Sequence, residues 1–291
     1  MVSVTVGIYP RERFSLTSRS LAALAENTEI QFKVLLIDCG MAARFRRDVD
    51  RVIADLPNVE VIEPGHFLTP NQSRNLVVRT ADTDYVCLLE NDVLVQPRCI
   101  DLLLATARRT GAAVTRPTII QRRGKVHFDR SLGPLSGTMG EPGAELSIGP
   151  NTRPTEYEPG DVACAVEWSE FHCILLHREQ MRDVFPLDED LTEPEHIDFS
   201  LRLRKAGAPI YYEPSAIVRL VTPPPVKRDD LPFFNFRWNQ ERGRESHRRF
   251  RERWNIRYAG LEDWMQTVPA RQSWLKYARL RWRRWLSPRP S

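Results

Sequence analysis

Residues 1–115 alternate strand-like and helix-like patterns, and this alternation limits the fold more than any other feature of the chain. Residues 32–37 and 85–89 are almost continuous apolar runs, as in strands that are buried on both faces. Over residues 45–56, apolar side chains recur at steps of three and four, as on one face of a helix. Strands that alternate with helices form parallel sheets. We therefore predict an α/β fold with a mostly parallel central sheet flanked by helices.

Two of the predicted strands end in carboxylates. Asp38 follows the strand of residues 32–37, while Glu90 and Asp92 follow the strand of residues 85–89. Open parallel sheets bind their ligands beyond the carboxyl ends of the strands. These three side chains therefore predict a ligand site at that edge of the sheet.

The triplet Glu90-Asn91-Asp92 places two carboxylates one residue apart, directly after a buried strand. Hard divalent cations take oxygen ligands, usually one or two carboxylates together with phosphates and water. Such a cation can neutralise negative charge that develops on a bound ligand during a reaction. An isolated acidic pair is more often a solvated turn. Here the pair directly follows a buried strand and Asp38 follows another, and these positions favour a metal site.

The order of short motifs over residues 2–222 resembles glycosyltransferase family 2. Residues 4–11 are similar to the family's first strand and its Pro-Thr-Tyr-Asn-Arg loop, and residues 36–40 to its nucleobase-holding segment. Residues 71–75 are similar to its Ala-Arg-Asn helix start, and residues 88–92 occupy the place of its Asp-x-Asp motif. The resemblance implies a GT-A fold and an inverting transfer of sugar from a nucleotide-diphosphate sugar to an acceptor hydroxyl.

The matched positions imply a donor site and a metal site. The residues implied to bind the nucleotide sugar are Pro10, Arg11, Asp38, Arg74, Glu90, Asn91 and Arg202. Asp92, assisted by Glu90, is implied to hold Mn²⁺ or Mg²⁺. The chain departs from the family pattern at two positions. Cys39 replaces the second Asp of the family's nucleobase-binding pair, which leaves Asp38 to bind the base alone. Glu90 replaces the first Asp of the metal motif and is one methylene longer. Arg74 either holds a phosphate, holds Glu90 or pairs structurally with a carboxylate.

A second acidic cluster, Glu195-His196-Ile197-Asp198, precedes an arginine-rich helical segment. The family's general base is a carboxylate in this region, and His196 stands at the usual aspartate position. Glu195 is the favoured base, His196 is the second candidate because its ordinary pKa suits proton transfer near neutrality, and Asp198 is the third. The alternative is a structural helix start with an Asp198–Arg202 pair at i,i+4.

The sequence offers several possibilities for the remaining ligands of the metal site. The family often has a histidine after its last strand, but residues 216–220 contain none. Either the cation has fewer protein ligands, or His247 supplies one, or Arg219 contacts the diphosphate. We expect His127, His172 and His177 to be structural.

The resemblance and the change in composition divide the chain in two. We assign residues 1–225 to the GT-A domain, with a nucleotide-binding half (1–115) and an acceptor and catalytic half (116–225). Residues 226–291 form a basic, aromatic-rich helical extension, with 17 Lys and Arg against seven Asp and Glu.

We expect residues 233–254 to form a flap over the acceptor site. The aromatic and basic segment 271–286 either packs on the body or contacts an anionic membrane surface or lipid-linked acceptor; nucleic acid is disfavoured because no recognition motif supports it.

Composition narrows the remaining function classes. The chain has 291 residues, a net charge of +4 and five scattered cysteines, which favour reduced thiols over disulfides or a zinc site. It opens directly in a strand pattern, so we expect no secretory leader and a cytoplasmic protein, with contact at the inner face of the membrane as an option. Three classes of acceptor are compatible with the sequence: a glycan, a lipid-linked molecule and a protein. The alternative function is a catalytically inactive nucleotide-sugar-binding protein of the same fold.

Overall fold

The computed structural model describes residues 3–121, 125–128, 144–146, 162–221 and 226–258. The first half of the chain contains, in order, β1 (Val4–Tyr9), α1 (Thr17–Asn27), β2 (Phe32–Ile37), α2 (Ala43–Ile53), β3 (Val59–Ile62), α3 (Pro70–Thr80), β4 (Tyr85–Glu90), β5 (Val93–Val95) and α4 (Cys99–Thr110). The second half contains β6 (Val114–Ile120), β7 (Val126–Phe128), β8 (Ala144–Leu146), β9 (Cys164–Val166), β10 (Cys173–His177), α5 (Glu195–Lys205), β11 (Ile210–Leu220), α6 (Leu231–Arg237), α7 (Gln240–Trp254) and β12 (Ile256–Tyr258).

The strands form one large central sheet in the order β3-β2-β1-β4-β10-β6-β11-β5. The first four strands in this order are parallel, as predicted. Strand β10 runs antiparallel to both β4 and β6, while β11 is parallel to β6. Strands β7 and β9 add to β6 and β11. The sheet is therefore parallel from β3 to β4 and mixed beyond β4.

Successive residues of the central strands pack into cores on opposite faces of the sheet, as the period of two requires. In β4, Cys87 and Leu89 join one hydrophobic cluster, and Val86 and Leu88 join the other. Helices α1 and α4 cover the first face, and α3 lies on the second. Gly7 allows α3 to lie very close to β1, because a Cβ at Gly7 would come within 2.2 Å of a methyl carbon of Val77.

Most helix and strand positions agree with the sequence patterns, but three differ. Strand β5 is too short to give a periodic signal. The apolar residues at 210–212 and 217–221 predict two short strands, but they belong to one strand, β11, whose register shifts between Glu213 and Ile217. Pro97 is typical of the first turn of a helix, but α4 begins at Cys99, after Arg98 adopts a left-handed conformation at φ 61°.

The described part of the C-terminal extension packs against the body. Phe233 of α6 and Phe250 of α7 are buried, each at 1% exposure, in the two hydrophobic clusters. The predicted helix and membrane contact at 271–286 lie outside the described residues, as does most of the Gly- and Pro-rich segment 121–160. Within the described ranges, we find no helix that is long and apolar enough to span a membrane. All five cysteines are free, as expected.

Candidate active site at the ends of strands β1 and β4

Glu90 ends β4 and is 3% exposed. Its carboxylate accepts hydrogen bonds from Nη2 of Arg74 at 3.0 Å and from Nδ1 of His172 at 2.6 Å, and Nε of Arg11 lies 3.3 Å away. Burial acts to raise the pKa of Glu90, but His172 and the two arginines outweigh it and lower the pKa to about 2. Glu90 is therefore an anion that three cationic side chains surround.

Asp92 is 1% exposed and has one partner for its two carboxylate oxygens. Nη1 of Arg11 donates to Oδ2 at 3.2 Å, whereas the buried Oδ1 has no hydrogen-bond partner among the described residues. Burial raises the pKa of Asp92, although Arg11 acts in the opposite direction. A buried carboxylate oxygen without a partner is costly, so this atom is a candidate ligand for a cation.

Asn91, the middle residue of the triplet, binds protein backbone. Its Oδ1 accepts from the N–H of Arg11 at 3.1 Å, and its Nδ2 donates to the carbonyl of Arg13 at 2.7 Å and to Oγ1 of Thr17 at 2.8 Å. Asn91 thus ties the loop after β1, which begins with the buried Pro10, to the end of β4. That link places Arg11 beside the two carboxylates of the triplet.

His172 lies directly beside the triplet, where we had expected a purely structural histidine. Its Nδ1 contacts Glu90, and its Nε2 lies 3.0 Å from Oε2 of Glu170. Nε2 of His127 lies 3.6 Å from the same Glu170 oxygen. Burial acts to lower the pKa of His172, but the two carboxylates raise it to about 10. Sequence reasoning missed this group, although the pattern Glu170-Phe171-His172 directly before a buried strand was visible.

Two sets of side chains among the described residues have ligand atoms close enough to hold a metal ion. One set is Glu90, Asp92 and His172, and the other is His127, Glu170 and His172; within each set the ligand atoms lie within 4.8 Å of one another. The first set fits a divalent cation, because it contains two carboxylates and the unpartnered oxygen of Asp92. Neither set contains His247, whose pKa burial lowers to about 4.

Arg74 connects the triplet to the start of α5. Its guanidinium lies 3.6 Å above the ring of Phe171, and it donates to the hydroxyl of Tyr9 at 3.2 Å. The same guanidinium donates to Glu90 and lies 3.6 Å from Oε1 of Glu195. Because Arg74 is fully buried, these contacts fix both carboxylates relative to each other.

Glu195 begins α5 at 7% exposure, and a second arginine holds it from the C-terminal extension. Nη2 of Arg237 lies 3.4 Å from Oε1 of Glu195 and 3.1 Å from Oε1 of Glu193. The buried Oε2 of Glu195 has no partner among the described residues. Sequence reasoning did not identify Glu193 or Arg237, because the contact joins segments that are 42 or more residues apart.

The other predicted residues of α5 have different surroundings. His196 is half-buried at the helix start. Asp198 accepts hydrogen bonds at 2.8 Å from both Nη1 of Arg253 and Nε1 of Trp254. Arg202 donates to the carbonyl of Pro186 at 2.8 Å, instead of forming the i,i+4 ion pair that we considered. The structure therefore brings Glu195 to the triplet through Arg74 and connects Asp198 to α7.

Asp38 follows β2 and is 6% exposed. Its Oδ1 accepts from the backbone N–H groups of Gly40 and Met41 at 3.1 and 2.7 Å, and its Oδ2 pairs with Nη1 of Arg46 at 2.9 Å. These bonds hold the loop after β2 in a tight turn, in which Gly40 has a φ of 103°. Cys39 points into the core, so Asp38 is the carboxylate that this loop presents.

Comparison with curated proteins gives relatives across most of the chain. The succinoglycan biosynthesis protein ExoM of Rhizobium meliloti (strain 1021) is 26% identical over 268 residues, which cover 90% of this chain and 81% of that protein. The pre-mycofactocin glycosyltransferase of Mycobacterium tuberculosis is 26% identical over 186 residues, covering 64% of this chain and 37% of that protein.

Solved structures share the fold at low sequence identity. The crystal structure of GalNAc-T7 with UDP, GalNAc and Mn²⁺ matches with a TM-score of 0.58 and 15% identity, over 97% of this chain and 54% of that chain. The structure of S. aureus TarS 1–349 in complex with UDP-GlcNAc matches with a TM-score of 0.54 and 12% identity, over 94% and 71% of the two chains. The expected GT-A fold is thereby confirmed.

Residues 3–167 match the family described as glycosyl transferase family 2, which is more than half of the chain. This match covers the loop after β1, the Asp38 turn, Arg74 and the Glu90-Asn91-Asp92 triplet. The chain therefore belongs to glycosyl transferase family 2 and is a glycosyltransferase with the GT-A fold.

Proposed function

We propose that the protein transfers a sugar from a nucleotide-diphosphate sugar to an acceptor hydroxyl with inversion at the anomeric carbon. The acceptor oxygen forms a bond to that carbon while the bond from the carbon to the diphosphate oxygen breaks. The acceptor proton passes to a carboxylate of the protein, and the electron pair of the broken bond leaves with the nucleoside diphosphate. The UDP and UDP-GlcNAc in the two similar structures support a uridine nucleotide as the first donor class to test.

The observation that carries this proposal is the unpartnered Oδ1 of Asp92, buried beside Glu90 and His172. Asp92 would be the main protein ligand of the cation, with Glu90 beside it. A divalent cation, Mn²⁺ or Mg²⁺, supplies charge neutralisation at the departing diphosphate. The Mn²⁺ in the GalNAc-T7 structure makes Mn²⁺ the first ion to test.

Arg11 would bind the diphosphate. Its guanidinium lies between the carboxylates of Glu90 and Asp92, and its side chain is 19% exposed. A planar guanidinium with several N–H donors suits phosphate oxygens. We propose that Arg11 turns from the two carboxylates to the diphosphate when donor and cation bind.

Glu195 is the base that the geometry supports best. Arg74 ties it to Glu90, and its free Oε2 is available to accept a proton. General-base transfer requires the carboxylate to reach the acceptor hydroxyl directly or through one water. His196, half-buried on the same helix turn, is the second candidate. The contacts of Asp198 with Arg253 and Trp254 support a structural role for that residue.

Asp38 would define the nucleoside end of the donor site. Its carboxylate orders the turn after β2 through three hydrogen bonds. We propose that this turn receives the nucleobase. Arg202, which bonds to the carbonyl of Pro186, is less well placed for the donor role that we assigned from sequence.

The proposal is tested with Asp92→Asn, which keeps the shape of the side chain and removes its charge. Wild-type protein and variant are incubated with a panel of UDP-sugars, with and without Mn²⁺, and release of UDP is measured. Asp48→Asn, an exposed residue of α2, is the matched control. We expect Asp92→Asn to lose Mn²⁺-stimulated UDP release while Asp48→Asn keeps it. Full Mn²⁺-dependent release by Asp92→Asn would overturn the metal assignment.

A further inference from the structure

The side chains of His127, Glu170 and His172 form a cluster that the proposed transfer does not use. His127 lies on β7, and the other two precede β10. Their ligand atoms lie within 4.8 Å of one another, with Oε2 of Glu170 at 3.0 Å from Nε2 of His172 and at 3.6 Å from Nε2 of His127. The set contains two imidazoles and one carboxylate, which is a common ligand set for transition metals in proteins.

Residues outside the cluster hold the other nitrogen of each ring. Glu90 contacts Nδ1 of His172 at 2.6 Å, and the amide nitrogen Nε2 of Gln121 lies 2.8 Å from Nδ1 of His127. In metal sites, a partner on the far nitrogen fixes the orientation of the ring and directs the near nitrogen at the ion. Here both near nitrogens, Nε2, lie toward Glu170. Glu90 is such a partner for His172, and Gln121 becomes one for His127 when its amide turns its oxygen toward Nδ1.

We propose that His127, Glu170 and His172 bind a transition-metal cation at a site separate from the diphosphate cation. Imidazole ligands favour Zn²⁺, Co²⁺ or Fe²⁺ over Mg²⁺, which prefers oxygen. Three protein ligands leave at least one coordination position for water or another ligand. The side chain of His127 is 11% exposed, which leaves the cluster in contact with solvent.

The cation at the triplet does not require His172 as a ligand. An ion on Nε2 of His172 leaves Nδ1 as a donor to Glu90. The cation at the triplet then depends on Glu90 and Asp92 together with phosphate oxygens and water. For this reason, the test of the second site is independent of the test of the proposed sugar transfer.

Co²⁺ titration of the full-length, chelator-treated protein tests the proposal, because Co²⁺ bound to imidazole nitrogen absorbs visible light. The variants are His127→Ala and Glu170→Gln. His66→Ala, an exposed histidine in the loop before α3, is the control for nonspecific binding, and Asp92→Asn removes the triplet site. Near-ultraviolet circular dichroism checks that each variant is folded. If His127→Ala does not fold, Glu170→Gln carries the test.

We expect wild-type protein, His66→Ala and Asp92→Asn to show the same Co²⁺ absorption. His127→Ala and Glu170→Gln should weaken it by about tenfold or more in apparent affinity. Unchanged Co²⁺ binding in both folded cluster variants would overturn the proposal, as would loss of the absorption in Asp92→Asn alone. Loss of Mn²⁺-stimulated UDP release is a separate result, since it concerns the triplet.

Discussion

The carboxylate of Asp230 accepts a hydrogen bond from the backbone N–H of Phe14 at 2.7 Å, across 216 residues of sequence. The same oxygen accepts from the N–H of Ser15 at 3.1 Å. Asp230 is 0% exposed and precedes α6, so the C-terminal extension holds the loop that leads from β1 to α1. That loop carries Arg11, which lies beside the triplet.

Replacement of Asp230 by Ala should therefore loosen the loop after β1. The buried N–H of Phe14 and the partly buried N–H of Ser15 lose their acceptor, and we expect a loss of about 1–3 kcal/mol in the free energy of unfolding. The KM for the donor should also rise, because Arg11 is held less firmly. Urea denaturation and donor titration measure the two effects. Asp229→Ala, an exposed neighbour that pairs with Arg44, should change neither quantity.

Arg11→Ala should strengthen the binding of Mn²⁺ and weaken the binding of the donor. Arg11 pairs with Glu90 and Asp92 and so competes with a cation for the same carboxylates. We expect Mn²⁺ to bind about five- to tenfold more tightly to the variant, as the loss of a partly exposed ion pair of about 1 kcal/mol implies. The KM for the donor should rise. Isothermal titration with Mn²⁺ checks the first effect, and weaker Mn²⁺ binding would contradict it.

Glu195→Gln should lower kcat by about 10²- to 10⁴-fold, because a glutamine cannot accept the acceptor's proton. The KM for the donor should change little, since Gln retains a hydrogen-bonding group for Arg74. Glu241→Gln, at the start of α7, is the matched control and should keep wild-type kcat. A normal kcat in Glu195→Gln combined with a large loss in His196→Ala would assign the base to His196.

Glu193 should make the protein less stable as the pH rises. Burial and the neighbouring Glu195 carboxylate raise the pKa of Glu193 to about 8, although Arg237 acts in the opposite direction. Since the unfolded chain has the ordinary glutamate pKa near 4.5, the folded state favours the protonated form. The stabilisation is fully present below about pH 4.5 and is lost progressively as the pH rises through 8.

Glu193→Gln keeps a neutral side chain at every pH and should remove this dependence. Thermal unfolding from pH 5 to pH 9 measures it, and the Tm of the variant relative to that of the wild type should increase with pH. Glu189→Gln is a control in the same loop. A constant Tm difference across this range would show that Glu193 does not titrate there.

The sequence was sufficient for the parts of the protein that depend on local patterns. Apolar runs predicted β2 and β4 within one residue, because both strands lie in the parallel part of the sheet and are largely buried. The strand-end positions of Asp38, Glu90 and Asp92 followed from the same periodicity. Asparagine favours the N-cap position of helices, and Asn239 caps α7 in this way by accepting a hydrogen bond from the N–H of Arg242.

The cationic and histidine partners of the site could not be predicted in the same way. Glu90 meets His172 across 82 residues, and Glu195 meets Arg237 across 42. These contacts depend on how β10 enters the sheet and how α6 folds back, which no local pattern specifies. Asp198 shows the same limit, since an i,i+4 partner was available in the sequence and the fold supplied Arg253 instead.

The reversed direction of β10 determines which chain segments can supply ligands to the site. In a purely parallel sheet, the edge beyond Glu90 would receive only residues that follow strands. Because β10 is antiparallel to β4, its first residues lie at that edge, and Glu170 and His172 arrive there as residues that precede a strand. Polar side chains immediately upstream of an antiparallel insertion are thus a second source of active-site chemistry. A mutational survey of the donor site should include them alongside the residues at the strand ends.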